Sequence, residues 1–337
     1  MFRKFVKKLF SPDPTATYSG GVAPSDYVPN SISEVGGMIG KVAEQVIREV
    51  SAEDKLSVFD KMPVENGDTI EQAVVKLASP RSYDSTGANA LSRKTPQIAV
   101  KMFNDWTRLT FDTTVDIPLI RKVLTTGKGA SDLSSKIVAA LSEGDKYSKY
   151  TFMKGLLAWA RQDGTGKVFV EKSNVLMSGG SINYKEALVQ MKNIISGMQY
   201  VNADFNTASL PRRTLKDDIF LLIPYKLKNR LDVEELAGVF NLEKDRLDAH
   251  IIELDIDETT MSGGKYLPVY VIDRWSILSY TRLYEMMDQK NADGLFWNYF
   301  LHTERLYGVS PLFDGCYFWV QTEAEAVAEE PAQQGAE

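Results

Sequence analysis

The 337-residue chain is long enough for one large or two medium domains, and 44% hydrophobic with 25% charged residues excludes global disorder. A formal net charge of -6 excludes a generic nucleic-acid coat, which needs surplus Lys and Arg to displace counterions from phosphate, so any DNA contact must be local. The single cysteine, Cys316, excludes an intramolecular disulfide, and two histidines are too few for a common zinc set with it; a reducing, intracellular assembly environment is the simplest reading.

The start, MFRKFVKKLF, carries Phe2, Phe5, Leu9 and Phe10 beside Arg3, Lys4, Lys7 and Lys8, but it runs directly into SPDPTATYSGG and has no signal-peptide core. A basic arm touching a partner or a nucleic acid, or simply a solvated terminus, is favoured over an in-plane membrane helix, and no apolar run approaches the roughly 20 residues of a membrane span. Residues 11–36 are rich in Pro, Ser, Gly and Asn and read as an extended arm, after which Val42, Val46 and Val50 fit a short helix; this leader occupies 1–61.

Residues 62–115 favour strands. Ile98, Val100 and Met102 alternate with Gln97, Ala99 and Lys101, and the phase then slips to Leu109 and Phe111, which predicts a bulge or bend near Trp106. PRSYDSTGANALSRKTP between the strands has turn chemistry and little to bury, so the segment reads as a long two-stranded arm with a mobile tip.

From Ser131, Leu133, Ile137, Val138 and Leu141 form a helical stripe that resumes, after an expected interruption at Gly144, through Tyr150, Met153, Leu156, Leu157 and Ala160. A second helix repeats the pattern through Leu188, Met191, Ile195 and Met198 and is expected to support the first. IFLLI is a buried-strand signal; Asp232 and Glu235 form a capping box before a further helix; HIIELDIDETT and YLPVYVIDRWSILSY are strand candidates around a Gly-rich loop at 262–265. The acidic stretch 319–337 has the composition of a disordered tail, and no internal repeat suggests a solenoid.

Chemistry is sparse. IIELDIDETT ends an apolar strand in Asp255, Asp257 and Thr259, which resembles the nucleophile motif of haloacid-dehalogenase-type phosphatases, where the first Asp attacks phosphorus and the second is acid/base; too little chain follows for that family's core. GTGKV and TTGKGA lack the Walker A spacing and read as turns. His250 and His302 fit a strand and an aromatic cluster, and Cys316 among Phe313, Tyr317 and Phe318 reads as a buried structural thiol. No catalytic, cofactor or metal residues are assigned, and the chain is expected not to be an enzyme; a phosphohydrolase using Asp255 and Asp257, or a monomeric α/β binding module, are the alternatives.

Charge is segregated more than catalysis is hinted at. Residues 85–104 hold Arg93, Lys94 and Lys101 and no acid, whereas residues 232–258 hold ten acids against Lys244 and Arg246. Solvated faces of opposite sign are the plain reading; the functional one is that a basic arm reaches the acidic body of another copy, with Arg81, Arg93, Lys94, Lys101, Asp245 and Asp248 as contact candidates.

GDTIEQ, TPQIAVKMF, SKYTFMKGLL, LKDDIFLLIPYKLKNRLDVEELAGVFN and GLFWNYFLHTERLYGVSPLFDGCYF, in that order, cover most of residues 67–318. In this the chain resembles the tailed-phage major capsid (head) proteins of HK97-like fold, closest to the small Bacillus-type podophages (Picovirinae). The resemblance implies an α+β chain that self-assembles into hexamers and pentamers of an icosahedral shell around double-stranded DNA, by way of a procapsid with scaffolding and portal proteins. It implies an E-loop at 62–115, a P-domain with its spine helix at 116–163, an A-domain at 164–282 and a return to the P-domain at 283–318. Phe296, Trp297, Tyr299, Phe300 and Tyr307 would pack that return against the spine helix. The virion, assembled in the host cytoplasm, is the implied location, with no membrane partner. The leader before Asn30 looks longer than the family's, and only the acidic tail follows Phe318, so the immunoglobulin-like domain of some relatives is not expected; nothing pairs a specific Lys with a specific Asn, so a cross-link is not expected either.

Overall fold

The computed structural model describes residues 51–116 apart from 66, 81, 84 and 87–92, then residue 118 and residues 127–161, 167–234 and 249–324. In chain order the elements are β1 (Ile70–Val75), β2 (Ile98–Phe103), β3 (Trp106–Asp116), α1 (Gly127–Ala160), β4 (Val170–Glu171), α2 (Tyr184–Met198), β5 (Ile219–Pro224), α3 (Tyr225–Glu234), β6 (His250–Leu254), β7 (Thr259–Met261), β8 (Gly264–Asp273), β9 (Ile277–Asn291), β10 (Phe296–Val309) and β11 (Gly315–Ala324). They divide into two compact units, one of Lys55–Thr107, Met153–Arg282 and Arg305–Glu337, the other of Met1–Asp54, Arg108–Phe152 and Leu283–Glu304.

The larger unit is organised by a six-stranded sheet in the order β4-β11-β8-β5-β6, with β7 added to β8. Side chains alternate across such a sheet, and register fixes which of them meet. Val271 of β8 lies opposite Cys316 and Leu221, so odd-numbered residues of β5 and β8 share one face with even-numbered residues of β11, and the remaining residues of these strands share the other. On the first face Leu221, Ile223, Leu267, Val269, Val271, Phe318 and Val320 pack with Ala187, Met191, Ile194, Ile195 and Met198 of α2. The α2 start is held by Asn183, whose side-chain oxygen accepts from the Glu186 amide at 3.2 Å. On the second face Phe59 meets Phe220 edge-on at 5.1 Å, His250 stacks on Phe220 at 5.0 Å, and Arg161 donates to the Tyr270 hydroxyl at 2.7 Å. Burial pushes the Tyr270 phenol up to about 12, so it serves as a hydrogen-bond partner rather than an acid. Because both faces are covered, β5 and β8 read as unbroken apolar runs instead of alternating ones.

Several expectations are corrected here. The helix α2 packs on this sheet, and no residue of α1 belongs to that core cluster among the described residues. Residues 319–324 are not a tail: they belong to β11, where Trp319, Val320 and Gln321 are buried, while 325–337 lie outside the described residues. The Gln321 amide closes this end by donating to the Gly263 carbonyl at 2.6 Å and accepting from Met177 N at 3.1 Å, which a reading from acidic composition could not register. The helix expected to start at the Asp232 box begins at Tyr225, directly after Pro224, so Asp232 lies inside it; Glu235 is outside the described residues. Gly264 opens β8 with φ +138°, and a Cβ there would fall 1.8 Å from the Glu323 carbonyl oxygen, so only glycine permits this approach to β11.

The strands β3, β10 and β9 form a three-stranded sheet in that order. Arg108 pairs with Glu304 at 3.0 Å, Thr110 with His302 at 3.0 Å and Thr114 with Asn298 at 2.7 Å, so numbers rise on β3 as they fall on β10 and the pair is antiparallel. Odd residues of β3, Leu109 to Val115, are more covered than the even ones, and the Phe111 ring lies 3.7 Å from where a Cβ of Gly144 would sit on α1. The helix runs unbroken through Gly144, against the expected interruption, and starts at Gly127, so the last four residues of TTGKGA are helical and not a turn. Glycine costs about 1 kcal/mol in a helix interior, a penalty that packing over a 34-residue helix absorbs.

Residues just before the larger unit are tied to this helix. Glu143 accepts from Lys146 Nζ and from the Ala52 amide, both at 2.6 Å, and these bonds, Lys146's first, hold its carboxyl below the usual range. Lys149 pairs with Asp54 at 2.8 Å, with 11% and 7% of their side chains exposed. Removing one member of a buried pair strands the other charge, so Lys149→Met is expected to lower unfolding stability by about 3 kcal/mol, read by urea denaturation with an unchanged m-value.

Candidate assembly surfaces

The β1–β2 hairpin of the larger unit carries the arm foreseen in the sequence. Its strands are antiparallel, with Val75 opposite Ile98, Ala73 opposite Val100 and Glu71 opposite Met102, so these six side chains share one face. Val75, Ile98, Val100 and Met102, with Leu77 beyond the strand end, are between 47% and 64% exposed. The opposite face is anchored: Gln72 donates to the Trp275 carbonyl at 3.2 Å, and the Phe103 ring lies 3.0 Å from a Cβ placed on Gly308. At the base Trp106 Nε1 donates to the Asp68 carbonyl at 2.7 Å, and Arg282 covers the Trp106 ring at 4.6 Å while pairing with Asp68. A two-stranded hairpin is marginal alone in water, and these contacts supply the third layer it lacks.

The predicted bend is present. The Trp106 amide donates to the Asn104 carbonyl at 3.2 Å, and the chain leaves the hairpin there to become β3, which pairs with β10. The arm thus ends at Phe103 rather than continuing to residue 115 as a strand pair.

Of the candidate contact residues, Arg93 and Lys94 lie on the loop between the strands and Lys101 on β2 opposite Gln72, all exposed. Arg81, Asp245 and Asp248 lie outside the described residues, as do the leader's basic segment and the helix expected at Val42–Val50. The acidic stretch is less free than its composition suggests: Asp255 pairs with Lys154 and Asp257 with Lys226, each at 3.4 Å, and Glu253 pairs with Lys228. Those lysines come from α1 and α3, distant in sequence, so no local signal revealed the neutralisation.

The same pairs bear on the phosphohydrolase alternative. Asp255 and Asp257 are largely exposed and each faces a lysine, and no group of three or more His, Cys, Asp or Glu among the described residues is placed to hold a metal. Cys316 is fully buried and burial pushes its thiol up, away from nucleophilic chemistry. No described helix is long and apolar enough to cross a membrane.

The aromatic segment is a strand. On β10, Phe296, Asn298, Phe300 and His302 share the face of Arg108, Thr110 and Thr114, with Phe300 and His302 stacked at 6.3 Å between ring centres. Trp297 and Tyr299 share the face of Phe111 and Val115, on the side of α1. Alternation therefore divides aromatics that are too many for one helix face. Phe296, Trp297, Tyr299 and Phe300 are half-buried, whereas Tyr307, in the larger unit, is buried at 5%. Asn291 turns the chain into β10 by accepting from the Asp293 and Gly294 amides, and a Cβ on Gly294 would strike the Phe296 ring at 2.2 Å.

Residues 25–319 match the family described as Phi29-like phage major capsid protein. The chain belongs to that family. It is 23% identical over 278 residues to the major capsid protein of Bacillus phage GA-1, covering 81% of this chain and 57% of that protein. To the major capsid protein of Bacillus phage PZA it is 24% identical over 316 residues, covering 92% of this chain and 67% of that protein. Among solved structures it resembles a chain of the Staphylococcus phage Andhra capsid, with a TM-score of 0.66 at 14% identity over 85% of this chain and 88% of that one. A chain of the cyanophage Pam1 capsid gives a TM-score of 0.58 at 8% identity over 92% of this chain and 99% of that one. The mixed α/β fold is that of phage capsid chains.

Two outcomes follow. Asp255→Asn should move stability by less than about 1 kcal/mol, because the pair it breaks is exposed, and should leave any magnesium-dependent phosphatase background unaltered in a phosphate-release assay. Trp297→Ala should cost about 2 kcal/mol of unfolding free energy, below the range for a fully buried Trp, measured by thermal and chemical denaturation.

Proposed function

We propose that the chain is the shell-forming subunit of an icosahedral phage head, associating with its own copies into hexamers and pentamers around a double-stranded DNA genome. The observation that carries this reading, beside family membership, is the apolar stripe Val75, Leu77, Ile98, Val100 and Met102 on an anchored hairpin. Such a stripe is a liability on a solitary protein and a contact surface on one that is covered by a neighbour. Burying each of these side chains is worth on the order of 1 kcal/mol, so five together outweigh the exposed charge pairs at ~1 kcal/mol or less each.

In the HK97-like reading the hairpin is the E-loop, and its basic tip residues Arg93 and Lys94 steer it onto an acidic neighbour. The helix α1 is the spine of the P-domain, residues 164–282 form most of the A-domain, and residues 283–318 return to the P-domain with Trp297 and Tyr299 on the helix side. Scaffolding and portal proteins are the assembly partners, the packaged DNA is contacted without sequence preference, and the virion is the location. The role is structural, with no catalytic step assigned.

Electron microscopy and size-exclusion chromatography of the expressed chain, with and without scaffold, test the reading. Val100→Lys with Met102→Lys should abolish shells and leave circular dichroism and the unfolding midpoint unchanged. Arg93→Glu with Lys94→Glu should slow assembly and weaken its salt dependence. A chain that stays monomeric in every salt and scaffold condition, or shells unaffected by the apolar pair, would overturn it.

A further inference from the structure

The larger unit buries two carboxylates that neither the fold's apolar logic nor an assembly role requires. Asp273 ends β8 and Asp314 precedes β11, and each is 1% exposed. Thr214, also 1% exposed, places its single hydroxyl 2.7 Å from Asp314 Oδ2 and 3.1 Å from Asp273 Oδ2. Arg212 Nη2 donates to Asp273 Oδ2 at 2.9 Å, while its Nε stands 3.7 Å from Asp314 Oδ2. The outer oxygens are taken as well: the Trp275 amide donates to Asp273 Oδ1 at 2.8 Å and Asn206 Nδ2 to Asp314 Oδ1 at 3.0 Å.

Counting protons exposes the constraint. A hydroxyl has one hydrogen and cannot donate fully to two carboxylate oxygens. If Thr214 donates to Asp314, its lone pairs face Asp273 Oδ2, a contact that is favourable only when that oxygen carries a proton. With both carboxylates ionised, two negative charges would share one guanidinium in a site closed to water. Like charges so placed cannot both ionise readily, and the pair titrates as a unit.

We propose that Asp273 and Asp314 hold one shared proton through Thr214, making this junction a proton-operated lock on three loops. The order is Asp273 Oδ2–H to Thr214 Oγ1, and Thr214 Oγ1–H to Asp314 Oδ2. The lock ties the loop at 206–214 to the β8–β9 turn at 273–276 and the β10–β11 turn at 310–315, where Ser310 N also donates to the Ser276 carbonyl at 2.8 Å. Losing the proton leaves a net negative charge at the centre and loosens all three segments together. The guanidinium of Arg212, seated 4.1 Å from the Phe313 ring centre, is the one cation paired with the two carboxylates among the described ion pairs.

Burial comes first and pushes Asp273 up to about 6 and Asp314 upward too, against Arg212 and the hydrogen bonds that favour ionisation, and the charge of Asp314 adds to the rise at Asp273. Arg274 and Asp218 flank the β8–β9 turn, where the Arg274 amide donates to the Asp218 carbonyl at 2.8 Å, and Lys172 and Cys316 lie on the Asp314 side. Lys61 donates to the Arg274 carbonyl at 2.8 Å, and burial, then Arg274, lower it to about 8, so its own linkage acts above that pH. The carboxylates' folded affinity for protons exceeds the unfolded one. The Asp273 contribution is therefore complete below about 4 and is lost as pH rises through about 6, with Asp314 acting in the same direction.

The test compares the full chain with Asp273→Asn, which mimics the protonated acid in shape. The unfolding midpoint of the unaltered chain should fall by about 3 °C relative to Asp273→Asn between pH 5 and 7.5, a range below the Lys61 window. Parallel curves for the two proteins would overturn the proposal. Hydrogen–deuterium exchange of the unaltered chain, corrected for the intrinsic pH dependence, needs no variant. Protection should drop selectively in peptides covering 206–214, 273–276 and 310–315 at pH 7.5 against pH 5.5; uniform or absent change would equally refute the lock.

Discussion

Burial of β8 on both faces and along both edges is the constraint on which the larger unit depends. Its register with β11 and β5 fixes which side chains meet α2 and which meet Phe59 and Arg161. A shift of one residue would exchange Val269 and Val271 for Pro268 and Tyr270 and present a hydroxyl to the α2 core. The polar ends of the strand are pinned accordingly, by Gly264 against Glu323 at one end and by Asp273 with its partners at the other. The apolar interior supplies the stabilisation, and the buried polar junction at its end supplies uniqueness, because a network of donors and acceptors admits few alternative arrangements.

What was legible in the sequence follows from how local each signal is. IFLLI and YLPVYVI stand out as runs, α2 as a 3.6-residue period, and the bend before Trp106 as a change of phase. Sequence signals fail where a partner distant in sequence decides the outcome. Residues 319–324 look like an acidic tail until Gln321 is seen closing on Gly263 and Met177. Asp232 and Glu235 satisfy a capping pattern, but Pro224 at the end of β5 starts the helix earlier. Gly144 suggests a break in α1, and the packing of Phe111 nearby carries the helix across it. The buried Asp273 and Asp314 gave no signal, since each sits in an ordinary turn sequence and only the fold brings them to one hydroxyl.

The aromatic segment shows the same division. Its composition raised the choice between a pocket, a core and a contact, and the strand period answers by sending alternate rings to opposite faces. Trp297 and Tyr299 turn toward the helix side, whereas Phe296 and Phe300 stay on the face where Thr110, Thr114 and Asn298 make polar bridges. A polar ladder with rings interleaved is partly dry and partly wet, which suits a surface that is later covered more than a completed core.

The intramolecular pairing of Asp255, Asp257 and Glu253 changes how the arm's contact is to be understood. Acids already matched by Lys154, Lys226 and Lys228 contribute less to an incoming basic tip than their number implies. On the proposed assembly reading, affinity then comes chiefly from the apolar stripe, with Arg93 and Lys94 giving direction and discouraging like-charged approaches. An apolar surface alone would associate without register. The exposed Glu71 and Lys101, one on each face of the hairpin, limit the ways two stripes can meet. In an assembly of many copies a modest contact is enough, because each subunit that is held once meets its next neighbour at high effective concentration. A stronger stripe would gain little in the finished shell and would let misplaced subunits persist during its growth.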